Sequence, residues 1–183
     1  MIDRLHKPNV WIAVSILTLG GSVATVYFFT SFLLTSALGD YGNVTSTNLK
    51  EESLNGLHLG DEVTPLILEE LKASYGDFVH APDMAIFLTS GHAHAYTFEK
   101  FYAAVHANNE VNGIVTERHD VHTNKGIGVG DKISRVKEYY GEQFVSSVDE
   151  NGEGITYVDQ DRGIRLQFVI NDGEVYQIIL TTT

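Results

Sequence analysis

The stretch SGHAHAYTF places His92 and His94 two residues apart, and on a strand such a pair shares one face. His106, in the following KFYAAVHA, falls on the expected partner strand. Two imidazoles on one strand and a third across from them could make a three-ligand site for zinc or copper. The same segment holds Tyr96, Phe98 and Tyr102. Aromatic rings carry much of the energy of protein interfaces, so these three are the candidate binding face. The plainer alternative is that the rings are core and the intervening alanines face outward, since alternation alone does not orient a strand. Two expectations follow: a binding face of Tyr96, Phe98 and Tyr102, or a metal site of His92, His94 and His106.

Other chemistry is weaker. DENGEG offers Asp149, Asn151 and Glu153 at alternate positions with Gly154 sixth, as in a calcium loop. The twelfth position, where that loop needs Glu, is Gln160, and a hairpin turn accounts better for the run. His119 and Asp120 in ERHDVHTNK would make an acid–base pair, but a polar linker accounts for both, and for His122. The eight histidines, all protonated, would take the net charge from −12 to −4, a crude form of pH response. The chain has no cysteine, and no nucleophile elbow, His-Glu-x-x-His or phosphate-cradling glycine loop occurs. The expectation is a protein that is not an enzyme and needs no cofactor. With 24 acidic against 12 basic residues and no basic cluster, it would be repelled by nucleic acid.

The elements that must position these residues come in two similar stretches, HLGDEVTPLILEELKASYGD and GVGDKISRVKEYYGE. In the second, Asp131 after Gly130 is placed to cap a helix. Ile133, Val136 and Tyr140 form its apolar stripe, and Gly141 ends it in a left-handed conformation. In the first, Asp61 after Gly60 caps, or Thr64 caps with Pro65 at the first helical position; Leu68, Leu71 and Tyr75 form the stripe and Gly76 ends it. Strand-like runs follow each helix, four after the second and five after the first. QFVSSV, GITYVD, GIRLQFVI and EVYQIILTT follow the second, separated by turn sequences that end with Asn171-Asp172-Gly173. DFVHA, MAIFLTS, HAHAYTF, KFYAAVHA and EVNGIVTE follow the first. The expected class is α+β, two repeats over 56–118 and 119–183, each a helical segment packed on a roughly four-stranded antiparallel sheet.

From Pro8 to Gly39 there is no charged residue, and Arg4 and Lys7 precede the run. It is long enough to cross a bilayer and longer than the apolar part of a usual cleaved leader. The expectation is a signal-anchor, a single transmembrane helix over 10–38 with residues 1–9 cytoplasmic. The rest would lie outside the cytoplasm at the cell membrane. Cleavage after Thr35-Ser36-Ala37 is the alternative. Residues 39–55, rich in Ser, Thr and Asn, read as a polar tether.

Residues HTNKGIGVGDKISRVKEYYGEQF, ITYVD and GIRLQFVINDGEVYQIIL resemble repeats of the β-lactamase-inhibitor-protein type. The small lipoprotein of the outer-membrane assembly machinery has a similar unit. Gly126, Gly130, Asp131, Val136, Tyr140, Gly141 and the final hairpin carry the resemblance, well over 122–180 and loosely over 56–118. It implies a fold of exported bacterial proteins and no activity, because the functional surfaces of such repeats vary. The functional expectation is a membrane-anchored binding module for a protein or envelope partner, with histidine-dependent metal binding as the alternative.

Overall fold

A computed structural model describes residues 44–81, 92–149 and 152–182. In chain order the elements are β1 (Ser53–Leu54), β2 (Leu57–His58), α1 (Pro65–Tyr75), β3 (Val79–Ala81), β4 (His92–Phe98), β5 (Phe101–His106) and β6 (Val111–Thr116). They continue with α2 (Ile133–Tyr140), β7 (Val145–Asp149), β8 (Gly152–Asp159), β9 (Ile164–Asn171) and β10 (Glu174–Thr182). β1 and β2 form a small hairpin; the other strands form one antiparallel sheet in the order β3-β4-β5-β6-β10-β9-β8-β7.

This corrects the expected class. The protein is mostly β, with a single eight-stranded sheet where two separate helix-on-sheet repeats are expected from the sequence. The reason lies at the centre of the sheet, where Ile178 pairs with Thr116 and Leu180 with Ile114. Left apart, β6 and β10 would each show an open edge of Val and Ile backbone, and pairing them removes both edges. The expected membrane helix has no counterpart among the described residues. The two helices have 11 and 8 residues, and no helix among the described residues is long and apolar enough to cross a membrane. Residues 10–38, where the signal-anchor is expected, lie outside the described residues, as does MAIFLTS.

Period-two alternation sorts the side chains of each strand onto two faces. Phe101, Ala103 and Val105 of β5, Ile114 of β6, Ile178 and Leu180 of β10, and Leu166, Phe168 and Ile170 of β9 join the main core. Leu71 and Tyr75 of α1 and Val136 and Tyr140 of α2 close over it. A smaller cluster of Tyr102, Ala104, Val115, Val169 and Ile179 occupies the other face.

The two Gly-Asp pairs do the same work in the same geometry. Gly60 N–H donates to the Val111 carbonyl and Val111 N–H to that of Asp61, at 2.7 and 2.8 Å. Gly130 N–H donates to Val175 and Val175 N–H to Asp131, both at 2.8 Å. Each aspartate also accepts the N–H three residues before it, Asp61 from His58 at 2.7 Å and Asp131 from Gly128 at 2.8 Å. Asp131 therefore does not cap α2. Lys132 holds the N-cap position without a side-chain bond, and the Ile133 N–H is instead satisfied by the Gly173 carbonyl at 3.0 Å. At α1 the cap is Thr64, whose hydroxyl accepts from Ile67 N–H, with Pro65 following. Gly76 and Gly141 end the helices at φ 86°, ψ −170° and φ 88°, ψ −175°. That is a glycine-only region, distinct from the expected left-handed helical one.

Residues 47–55, read from the sequence as tether, are docked on the fold. Leu49 and Leu54 are buried in the core; Thr47 N–H donates to Val158 and Leu49 N–H to the Asp159 carboxylate at 3.0 Å. The polar residues that disguise the segment are themselves bound. Glu52 is buried, accepting from Tyr140 Oη at 2.8 Å and from Asn124 N–H at 3.1 Å.

Candidate functional site

Asn55 and Gly56, at φ 48° and 81°, form the two-residue turn joining β1 to β2. Positive φ at both positions is the tight hairpin geometry that Asn-Gly favours. The Asn55 amide then reaches outward, donating to Tyr75 Oη at 3.2 Å and to the Asp120 carbonyl at 3.0 Å, while its oxygen accepts from His122 N–H. Between this turn and α1 lies a groove of about 490 Å³, lined by Asn55, Leu57, Asp61, Ile67, Glu70, Leu71, Ser74 and Tyr75 among others. Leu57, Leu71 and Tyr75 are its buried apolar part; Glu70 and Ser74 stand exposed at its rim. Leu66, one of the most exposed large apolar side chains among the described residues, lies on the same helix.

From Tyr75 a row of rings runs under α1 toward the sheet edge. Tyr75 stacks on Phe101 at 4.3 Å and meets Phe98 edge-on at 6.1 Å; Phe98 touches Phe78 at 5.5 Å, and Phe78 touches Tyr96 at 5.5 Å. Tyr96 in turn lies against His80 and His94. Burial raises the Tyr75 hydroxyl above its ordinary pKa, so it is a neutral hydrogen-bonding group at the groove floor. The Arg118 guanidinium sits 5.2 Å from the Tyr75 ring centre, held there by a two-pronged bond to Asp120 at 2.7 and 2.8 Å. Asp120 and His119 are thus taken up separately: Asp120 pairs with Arg118, and the His119 ring bonds the Val129 carbonyl at 2.9 Å.

The three expected binding aromatics do not share a surface. Phe98 is 3% exposed and belongs to the main core. Tyr102 belongs to the cluster on the opposite face, because it is one residue out of phase with Phe101 and Ala103. Tyr96 alone is half-buried beside the histidines. The expected metal residues are divided too. A register shift between His92 and His94 sets His92 opposite His106 and His94 opposite Val105. The His106 ring lies 3.3 Å from the Asn112 amide, and the His94 ring packs on Tyr96 and His80. Among the described residues no three His, Cys, Asp or Glu side chains are placed to hold a metal ion. The DENGEG run joins β7 to β8 with Asp149 paired to Gly152, a hairpin whose residues 150 and 151 lie outside the described ones.

No family model and no curated protein matches the chain. Among solved structures it is similar to an extracellular SCP-domain protein of Bacillus anthracis, at 10% identity and TM-score 0.43 over 68% of this chain and 44% of that one. A cysteine-rich secretory protein of Staphylococcus aureus matches at 12% identity and TM-score 0.44, over 70% of this chain and 46% of that one. The chain spans less than half the length of these two. A DUF4309 family protein of Bacillus subtilis, YjgB, matches at 13% identity and TM-score 0.37, over 86% and 97% of the two chains. These are not proteins of the β-lactamase-inhibitor type, and at such scores they assign this chain neither a family nor an activity.

Proposed function

We propose that this is an exported, non-enzymatic binding module that takes a segment of a protein partner into the groove between the Asn55–Gly56 turn and α1. The groove's composition carries the reading. Its floor is apolar and aromatic, and its rim holds Asp61 and Glu70 in a chain of net charge −12. The complement is a segment that inserts an apolar side chain and flanks it with Lys or Arg; charge of opposite sign steers such an encounter and sets its register. Support for export is the uncharged apolar run from Pro8 to Gly39 behind Arg4 and Lys7.

A photo-crosslinking side chain at Ser74, compared with one at the exposed Glu138 of α2, tests the assignment in the producing cell. Ser74 should capture a discrete partner that Glu138 does not, and Glu70→Lys should reduce that yield. Equal capture from both positions, or capture indifferent to charge reversal, refutes the groove as the binding site.

A further inference from the structure

The rings of His80 and His94 stand together at the β3–β4 edge, with centres 4.4 Å apart and planes at 78°. The pairing of β3 with β4 sets His80 opposite Tyr96, and His94 lies two residues from Tyr96 on the same face. His80 is exposed and His94 half-buried, with the Tyr96 ring 5.5 and 5.3 Å from the two. His94 is held from behind by Asn109. The Asn109 amide nitrogen donates to the Val63 carbonyl, which turns its oxygen toward the Tyr96 hydroxyl and the His94 ring. A His94 N–H donated to that oxygen leaves the other ring nitrogen with a free lone pair. This is the arrangement by which metal-ligating histidines are oriented in known sites.

We propose that His80 and His94 chelate a divalent transition-metal ion of the copper or zinc class, solvent completing the coordination. Two imidazoles bound to one tetrahedral ion at about 2.0–2.1 Å each have ring centres roughly 5 Å apart. The observed separation of 4.4 Å is close to that, and His80 is the exposed member of the pair. Imidazole nitrogen suits both metals, and copper(II) binds such donors more tightly than zinc. This pair differs from the His92, His94 and His106 set suggested by the sequence, and it is independent of the groove reading.

The test is titration of the full chain with copper(II), followed by electron paramagnetic resonance and by competition with a chromophoric chelator. One equivalent should bind with nitrogen hyperfine structure. His80→Ala and His94→Ala should each lose that signal while His106→Ala keeps it. Asn109→Ala should weaken binding about 10–100-fold, as loss of an orienting partner does. Because the His80 side chain is exposed, His80→Ala tests the site even if His94→Ala fails to fold, circular dichroism confirming the fold of each. Absence of a stoichiometric site in the wild type, unchanged binding by His80→Ala, or loss of the site in His106→Ala overturns the proposal.

Discussion

Gly141 ends α2 at φ 88°, ψ −175°, and its N–H closes the helix on the Lys137 carbonyl at 2.8 Å while its own carbonyl accepts from Tyr157 Oη at 2.8 Å. A Cβ added there would meet nothing within 4 Å, so any cost of a side chain is backbone strain alone. This combination of angles is essentially closed to residues with a Cβ, at about 1–3 kcal/mol. Gly141→Ala should therefore lower stability by that amount with an unchanged denaturant slope, and lower the Tm by about 2–4 °C per kcal/mol in a chain of this size. Asparagine separates the two possible helix stops. It tolerates the left-handed helical region, where ψ is near +45°, but not ψ near 180°. Gly141→Asn should thus cost as much as Gly141→Ala. Gly173 serves as the control: it follows Asp172 (φ 52°) in the two-residue β9–β10 turn, at φ 80°, in the left-handed turn geometry that Asn tolerates better than other side chains do, so Gly173→Asn should cost less. Urea denaturation of the three variants decides. Gly141→Asn at wild-type stability would falsify the assigned geometry.

Three further outcomes follow from carboxylates that accept hydrogen bonds within the fold. Asp131→Ala leaves the buried Gly128 N–H without its acceptor and should cost about 1–3 kcal/mol by urea denaturation, with Asp131→Asn costing less. Burial raises the pKa of Glu52 above its usual value despite the bonds from Tyr140, Asn124 and Ser53. The folded state then holds this proton more tightly than the unfolded chain. Its stabilising contribution is complete below the unfolded pKa and is lost as pH rises through the folded one. Thermal melts from pH 4 to 8 should show a falling component that Glu52→Gln removes; an identical profile in the variant would count against it. For Asp159 burial acts upward, but the Leu49 N–H and Arg162 outweigh it and hold the carboxylate below its usual range. Its contribution is present above the unfolded pKa and lost as pH falls through the folded one, so Asp159→Asn should be less stable than wild type at pH 7 and converge with it in acid.

Local chemistry was legible wherever one residue type answers one backbone need. Pro65 behind Thr64, Gly76 and Gly141 after the helical stripes, and Asp172-Gly173 between two apolar runs each have a single geometric use. What could not be read was anything set by a distant partner. The pairing of β6 with β10 follows from two strand edges that look alike in sequence, so a single sheet and two separate ones have the same local pattern. The bulge that puts His92 opposite His106 while His94 faces Val105 is one unpaired residue, invisible in the H-x-H spacing. Alternation gives phase within a strand but not across the Glu99–Lys100 turn, so in sequence Tyr102 reads as a companion of Tyr96 and Phe98 although it lies on the opposite face. Residues 47–55 look like tether by composition, yet Leu49, Glu52 and Leu54 each meet a partner far along the chain. The Asn-Gly pair at 55–56 is a hairpin signal carried by the sequence itself, and it marks the turn that walls the groove.

The place of β10 in the sheet has a consequence for biosynthesis. This strand is the last of the described elements in chain order, yet it lies between β6 and β9 in the interior. Until it emerges, β6 presents an unsatisfied ladder of Val and Ile to whatever is nearby, and β9 does the same. A translating ribosome or a translocation channel therefore delivers a chain whose sheet cannot close before residues 174–182 are free. Pairings at such sequence separation are also the slow ones to form. The topology reserves the cooperative locking of the sheet for the arrival of its last described strand.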